Sequence, residues 1–384
     1  MELNENVKRI LYNIQLCIHC KFCASVCPTY DGWLNNAAFG RFQAIYYALR
    51  YGYGDISKVS SSIFSCTICT LCEEICRRLM AGVKARETML LIRSELVERG
   101  AVPEKVKEFL ENVYKYSNPY GISPLKRAEW TEGLTIDKYD GTKEYLYYVG
   151  CVCSYNPVGQ RIARSFSKLL QEAGVSFGIL GEDEKCEGNE VRMLGEEGLF
   201  HLLVEENVRK LNELGVKKIL TTDPHVYNAL KNEYPKHGGD YAVMHHTQFL
   251  LKLIQEGRIK LSVYDEKVTY QDPCFLGRWN NIYEEPRMLL KSIPGVKYVE
   301  MPRNRSDSYC CGGGGGNFYT GYSTEKVNSA RIRVREAFET GAKILVTACP
   351  VCSIMLEDAL ADEGLTDKLA IKDVAELLLE LLKR

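Results

Sequence analysis

Apolar residues recur along this chain in two rhythms, and the change falls near residue 145. Before it, Arg41–Arg50 and Val83–Arg99 read as helices. A turn-rich stretch, Tyr116–Gly141, carries SNPYG, GISP and DKYDG and reads as a linker. Beyond it, short apolar runs alternate with amphipathic ones. Strands are predicted at Tyr145–Val149, Val175–Leu180 and Lys218–Thr222, then at Val268–Tyr270, Val296–Met301 and Lys343–Thr347. Helices are predicted at Val158–Glu172, Gln248–Gln255, Thr324–Glu339 and Asp373–Lys383. Such alternation argues for α/β units with mostly parallel strands.

The second part is a duplication. YLYYVGC (145–151), KCEGNE (185–190) and KKILTTDPHV (217–226) return as VTYQDPC (268–274), YCCGGG (309–314) and AKILVTACPVC (342–352). The offsets are 123 from Cys151 to Cys274, 124 from Cys186 to Cys310 and 126 from Asp223 to Cys349. Near-constancy over three landmarks indicates one unit of about 120 residues used twice, packed as pseudo-symmetric halves. The expected division is a helical region 1–115, a linker 116–143, and units 144–263 and 264–384.

Composition narrows the chemistry. With 49 Lys+Arg against 50 Asp+Glu, there is no basic field for nucleic acid. No apolar run reaches membrane-spanning length, and the first twenty residues lack a charged-then-apolar leader. A cytoplasmic chain is expected. The 16 Cys are then ligands or catalysts rather than a disulfide framework.

Eight of them form two runs, Cys17-x2-Cys20-x2-Cys23-x3-Cys27 and Cys66-x2-Cys69-x2-Cys72-x3-Cys76. Thiolates two residues apart can reach three irons of one cubane from a short loop, and the fourth ligates the other cluster. The expected sets are Cys17, Cys20, Cys23 and Cys76 for one [4Fe–4S] cubane, and Cys66, Cys69, Cys72 and Cys27 for the second. Structural zinc is the alternative, but zinc motifs supply ligands in pairs rather than four in a row.

Five more follow as Cys274-x35-Cys310-Cys311-Gly312-x36-Cys349-Pro350-x-Cys352. Five thiols exceed one zinc or one cubane, and adjacent cysteines do not readily both reach one small ion. A larger or irregular cluster is expected. Gly312 and Gly313 open a run of five glycines that lets backbone approach it and aim N–H groups at sulfide. A phosphate loop is disfavoured, since no Lys-Ser/Thr follows.

These motifs resemble known families. The long helical spacer between the first two runs resembles the α-helical ferredoxin domain of succinate dehydrogenase iron–sulfur subunits and of the C-type heterodisulfide reductase subunits. Arg77 departs from it, standing where the second run often has Pro. The five-cysteine pattern, with YQDPCFLGR and TACPVC, resembles the CCG domain. That domain occurs in the B-type and D-type subunits of heterodisulfide reductases and in iron–sulfur subunits of glycolate, lactate and glycerol-3-phosphate dehydrogenases. The overall arrangement resembles the D-type heterodisulfide reductase polypeptide. The resemblance implies a fold of an N-terminal all-α (α-helical ferredoxin) region followed by two pseudo-symmetric α/β CCG units. It also implies a noncubane [4Fe–4S] cluster on Cys274, Cys310, Cys311, Cys349 and Cys352, where disulfide sulfurs bind and are cleaved.

The first copy departs from the pattern. It keeps Cys151 and Cys186, but Glu187, Asp223 and Val226 replace the other three. A second noncubane cluster is not expected there. A scaffold is favoured over a mixed metal site from Cys151, Cys186, Glu187, Asp223 and His225. Cys153 matches Leu276 and reads as a small buried thiol. His245 matches Asp373, a helix-cap position, so a structural role is expected.

No flavin or nicotinamide fingerprint is visible, so the two-electron donor is expected on a partner. The expected function is a heterodisulfide reductase-like subunit moving electrons between two cubanes and a C-terminal cluster, which would reduce a disulfide. The alternative is an electron-transfer subunit linking a flavoprotein dehydrogenase or electron-transfer flavoprotein to a membrane quinone. Either version needs other redox subunits, a flavoprotein or a cytochrome in the membrane, and would hold the chain at the inner face through that partner.

Overall fold

The computed structural model describes residues 4–321 and 328–383. The region up to Tyr116 is helical, with its longer helices at Glu5–Gln15, Ala38–Tyr51, Leu71–Arg78, Ala85–Glu98 and Glu104–Tyr116. Asn4 caps the first, accepting from the Val7 N–H at 2.8 Å. Their buried faces gather Ile10, Ile14, Phe42, Ile45, Met89, Ile92 and Leu96.

Two four-stranded parallel sheets follow. The first comprises β1 (Tyr145–Tyr147), β2 (Phe177–Gly178), β3 (Lys218–Thr221) and β4 (Ala242–His245). The second comprises β5 (Lys267–Tyr270), β6 (Lys297–Tyr298), β7 (Ile344–Thr347) and β8 (Ala370–Asp373). Their orders, β2-β1-β3-β4 and β6-β5-β7-β8, have the same connectivity. The strands are short and mostly buried apolar runs, as parallel strands covered on both faces require.

Three differences from the sequence reading have physical causes. The edge strands at 175–180 and 296–301 shrink to two residues each. At the first edge, Ile179 bridges Lys138, so the turn-rich segment 116–143 packs onto the sheet rather than hanging between units. That segment also buries Arg127 and Trp130. β4 and β8 went unpredicted because each runs straight into a helix, at His246 and Val374, with no turn between. The helix expected at 324–339 is present over Ser329–Glu339, and residues 324–327 lie outside the described residues. Among the described residues no helix is long and apolar enough to cross a membrane.

The two units meet at their equivalent helix starts. Asp373 caps its helix by accepting the Ala375 N–H at 2.9 Å. His245 occupies the matching cap, with its own N–H bonded to Gln248. Between them His246 places Nε2 at 3.0 Å from Asp373 Oδ1 and Nδ1 at 3.2 Å from His245 Nε2. All three side chains are fully buried. The structural role expected for His245 is therefore a junction between the halves.

Burial lowers His246 to about 3 and, with the neighbouring His246 charge, pushes His245 well below the usual imidazole range. Burial raises Asp373 to about 8. The signs oppose. Both histidines fold neutral and protonate on unfolding, so their contribution is present above about pH 6.5 and is lost on acidification. Asp373 folds neutral, so its contribution is lost as pH rises from about 3.8 toward 8. The junction is thus most stabilising near pH 6.5. Melting temperatures under nitrogen should fall on both sides, and Asp373→Asn should flatten the alkaline limb while steepening the acid one.

Candidate metal centres

The two N-terminal cysteine runs are built alike. In each, the residues flanking the second Cys adopt left-handed backbone: His19 (φ 58°) and Lys21 (62°), then Ile68 (47°) and Thr70 (64°). Four non-glycine residues in this region are uncommon, and for the β-branched Ile68 it is strained. The turns curl each loop around a space that its sulfurs face. The third and fourth Cys of the second run, Cys72 and Cys76, lie one turn apart on the helix Leu71–Arg78. Arg77 continues that helix and pairs with Glu74 at 2.7 Å, where Pro would end it.

Two cavities result. One is lined by Cys17, Cys20, Cys23, Cys72 and Cys76. The other is lined by Cys27, Cys66, Cys69 and Cys72. Their remaining walls are mostly apolar. Burial and the facing Cys17, Cys27, Cys20 and Cys76 push the Cys23 thiol up to about 12. Burial and four neighbouring sulfurs likewise raise Cys72. Crowded thiols that oppose one another's ionisation suit a cationic iron group, which takes thiolates directly. The first cavity lies at the surface, with Cys20 exposed among Ile18, Phe22 and Met80. The second is deeper, since Cys27 and Cys69 are buried.

The five C-terminal cysteines converge in the interior. Cys274 and Cys349 follow β5 and β7, where parallel α/β sheets place ligands. Cys352 Sγ is 3.2 Å from Cys311 Sγ, and the Gly312 N–H points at Cys310 Sγ at 3.3 Å. Cys349 caps the helix Pro350–Asp362. Hydrogen bonds from Cys310 and Cys352 hold the Cys311 thiol well below its usual range. Five buried sulfurs and a backbone N–H directed at one of them fit an iron–sulfur group.

The second and third sulfur sets touch. Cys69 and Cys310 are hydrogen-bonded neighbours, and this contact, with burial, raises the Cys69 thiol well above its usual value. The approach depends on glycine. A Cβ at Gly314 would lie 2.6 Å from the Thr67 carbonyl, and one at Gly315 would lie 2.6 Å from that of Cys66. Gly314 and Gly315 of the glycine run thus let two backbones meet. Arg93, fully buried, donates to the carbonyls of Ile63, Phe64, Cys66, Met193 and Gly315, all within 3.1 Å. Arg278 donates to the Cys69 carbonyl at 2.6 Å and Trp279 to that of Ile68 at 3.1 Å. None of these clamps has a local sequence signal, although Arg278 lies within the YQDPCFLGR stretch.

The first copy contributes Cys151, Cys186, Glu187, Asp223 and His225 to the lining of a small cavity. The donor atoms, however, form two groups: Cys151, Cys186 and Glu187, and separately Asp223, His225 and Cys349 of the second copy. Arg127 sits 3.5 Å from Cys151 Sγ and 2.7 Å from Glu184. A hydrogen bond from Cys186 and the Arg127 charge lower the Cys151 thiol to about 7 against its burial. Cys153 is fully buried beside Thr222.

Comparison with known proteins agrees with this architecture. The family described as "Cysteine-rich domain" matches residues 145–231 and 268–357, and the "4Fe-4S dicluster domain" matches 13–79. The D-type polypeptide of the dihydromethanophenazine:CoB–CoM heterodisulfide reductase of Methanosarcina barkeri is 31% identical over 97% of this chain and 95% of its own. The probable iron-sulfur-binding oxidoreductase FadF of Bacillus subtilis is 36% identical over 85% of this chain. The EtfAB:quinone oxidoreductase of Syntrophomonas wolfei is 35% identical over 83%. This chain spans about half of each of the last two, 47% and 46%. The chain belongs to the CCG-domain iron–sulfur oxidoreductase family that includes the D-type heterodisulfide reductase polypeptides.

Gly315→Ala tests the backbone joint. A methyl group would meet the Cys66 carbonyl at a left-handed position (φ 63°). The expected cost is about 1–3 kcal/mol from overpacking and roughly 1–2 more from the backbone. An unchanged melting temperature would show that the two segments are not in contact.

Proposed function

We propose that this chain is an electron-transferring subunit of a multi-subunit oxidoreductase, with three iron–sulfur centres. Cys17, Cys20, Cys23 and Cys76 would hold one [4Fe–4S] cubane, and Cys27, Cys66, Cys69 and Cys72 the other. Cys274, Cys310, Cys311, Cys349 and Cys352 would hold a noncubane [4Fe–4S] cluster, with Gly312 and Gly313 beside it. Such groups supply one-electron transfer when bound. The observation that carries the reading is the Cys69–Cys310 contact, which joins the ferredoxin-like region to the second CCG unit.

The residues grade from outside to inside. The exposed Cys20 and its apolar surroundings suit exchange with a partner redox protein. The segment Cys66–Cys69 carries sulfurs inward. The five-cysteine site is where a disulfide would be handled, a reading supported by the heterodisulfide reductase relative. A relay between a flavoprotein and a quinone is the second reading, with the chain held at the membrane through its partner. It is favoured by the FadF and EtfAB:quinone oxidoreductase relatives and by the first copy's loss of three thiol positions.

Anaerobic iron and sulfide analysis should give about twelve iron per chain for three four-iron groups. An EPR signal that responds to added disulfide should survive Cys69→Ser and vanish in Cys311→Ser. No response to any disulfide, with rapid reduction by a flavoprotein, would favour the relay. A colourless, iron-free anaerobic preparation would end both readings.

A further inference from the structure

The two four-cysteine sets share a loop geometry but differ in the charges around them. Among the described residues that line the outer cavity, around Cys20, the charged side chain is Lys21. It is exposed, with its ammonium over the Phe39 ring. The wall of the inner cavity contains Arg41, on the helix Ala38–Tyr51, and Arg41 is only 1% exposed. Arg86 also lines that cavity but is exposed, lying over the Trp279 ring.

Arg41 is held rigidly. Its Nε donates to the Ser62 carbonyl at 2.7 Å, and Nη2 donates to the Thr29 and Ser65 hydroxyls at 2.9 Å each. Its Nη1 reaches Cys27 Sγ at 3.9 Å. None of these partners is a carboxylate. A buried cation without a counter-charge is costly, and a guanidinium does not escape that cost by losing its proton. Four thiolates around an iron–sulfur core carry a net negative charge, so the inner set would supply the missing anion. Two more guanidiniums meet the same set through its backbone. Arg93 donates to the Cys66 carbonyl at 2.7 Å and Arg278 to that of Cys69 at 2.6 Å.

We propose that Arg41 is the counter-charge of the inner four-cysteine set and raises its reduction potential, so that an electron arriving beside the exposed Cys20 moves inward without an uphill step. This rests on the iron–sulfur reading of both sets given above. Burial by itself works against such entry. Reduction adds one negative charge, which water stabilises at the outer set and is excluded from stabilising at the inner one. A permanent positive charge beside a ligand sulfur, in a wall of low dielectric, offsets that loss. The exposed Lys21 has no comparable hold on the outer set, because solvent screens it. In the transfer one electron leaves the outer set and one arrives at the inner set. No bond forms or breaks, and Arg41 keeps its proton. Arg41 acts through Cys27 and is a positioning residue.

The test is an EPR-monitored redox titration of the full chain purified anaerobically, with iron and sulfide counted for every variant. A water-soluble paramagnetic chelate assigns the two signals, since it relaxes the exposed outer group first. In the wild type the inner midpoint should lie at or above the outer one. Arg41→Gln keeps N–H donors and removes the charge. It should lower the inner midpoint by at least tenfold in the reduction equilibrium, about 59 mV for one electron. The shift should be the same in mildly acid and mildly alkaline buffer, and the outer midpoint should move far less. Arg41→Lys, which restores the charge, should recover much of the shift. An unchanged inner midpoint in Arg41→Gln would overturn the proposal. So would an equal shift in Arg41→Lys, which would make packing rather than charge the cause. Should Arg41→Gln take up no iron, the wild-type order decides: an inner midpoint at or above the outer one upholds the proposal, and one below it overturns it. A wild-type chain lacking iron in either four-cysteine set would fail at the earlier step, and its iron count alone would show that.

Discussion

The structure depends on one backbone-to-backbone contact. Residues Cys66 and Thr67, in the loop of the second cysteine run, lie directly against Gly314 and Gly315 of the second α/β unit. Only glycine permits that separation. Arg93 locks the joint by giving its guanidinium to carbonyls from both sides and from Met193 of the first unit. Burial lowers this guanidinium to about 10, so it stays charged at neutral pH despite its desolvation. Hydrogen bonds to a charged donor contribute about 1.5–3 kcal/mol each, enough in number here to offset that cost. The helical region and both α/β units are thereby tied together at this joint, and Cys69 meets Cys310 nearby.

From this joint the sulfur sets take their order. The set around Cys20 reaches the surface, the set around Cys69 is covered by the α/β units, and the five-cysteine set is enclosed. Burial of the five-cysteine set excludes water, which strengthens every charge near it. In such a setting a single guanidinium has leverage that it lacks at the surface. Arg127 beside Cys151 and Arg41 beside Cys27 occupy buried positions of this kind.

The sequence made the chemistry legible and left the geometry hidden. Both cysteine runs were readable from spacing, because three of the four cysteines in each lie within seven residues of one another. The duplication was readable because Cys151, Cys186 and Asp223 keep near-constant distances to their second-copy equivalents. The central strands followed from buried apolar runs such as ILVT at β7. The first edge strand is shorter than its apolar run, since its pairing ends where Tyr139 crosses Gly178. Arg93 and Arg278 were invisible for another reason. Their partners lie 27 to 222 and 28 to 209 residues away, and no local pattern encodes such contacts. The backbone contact at Gly314 and Gly315 was equally hidden, since Cys66 and Thr67 lie some 250 residues earlier in the chain.

Anomalous diffraction at the iron edge from anaerobically grown crystals addresses the central claim most directly. The account predicts three iron positions: one among Cys17, Cys20, Cys23 and Cys76, one among Cys27, Cys66, Cys69 and Cys72, and one among the five C-terminal cysteines. The last two should flank the Cys69–Cys310 contact. Iron missing from the five-cysteine site, or found instead between Cys151 and Cys186, would contradict it.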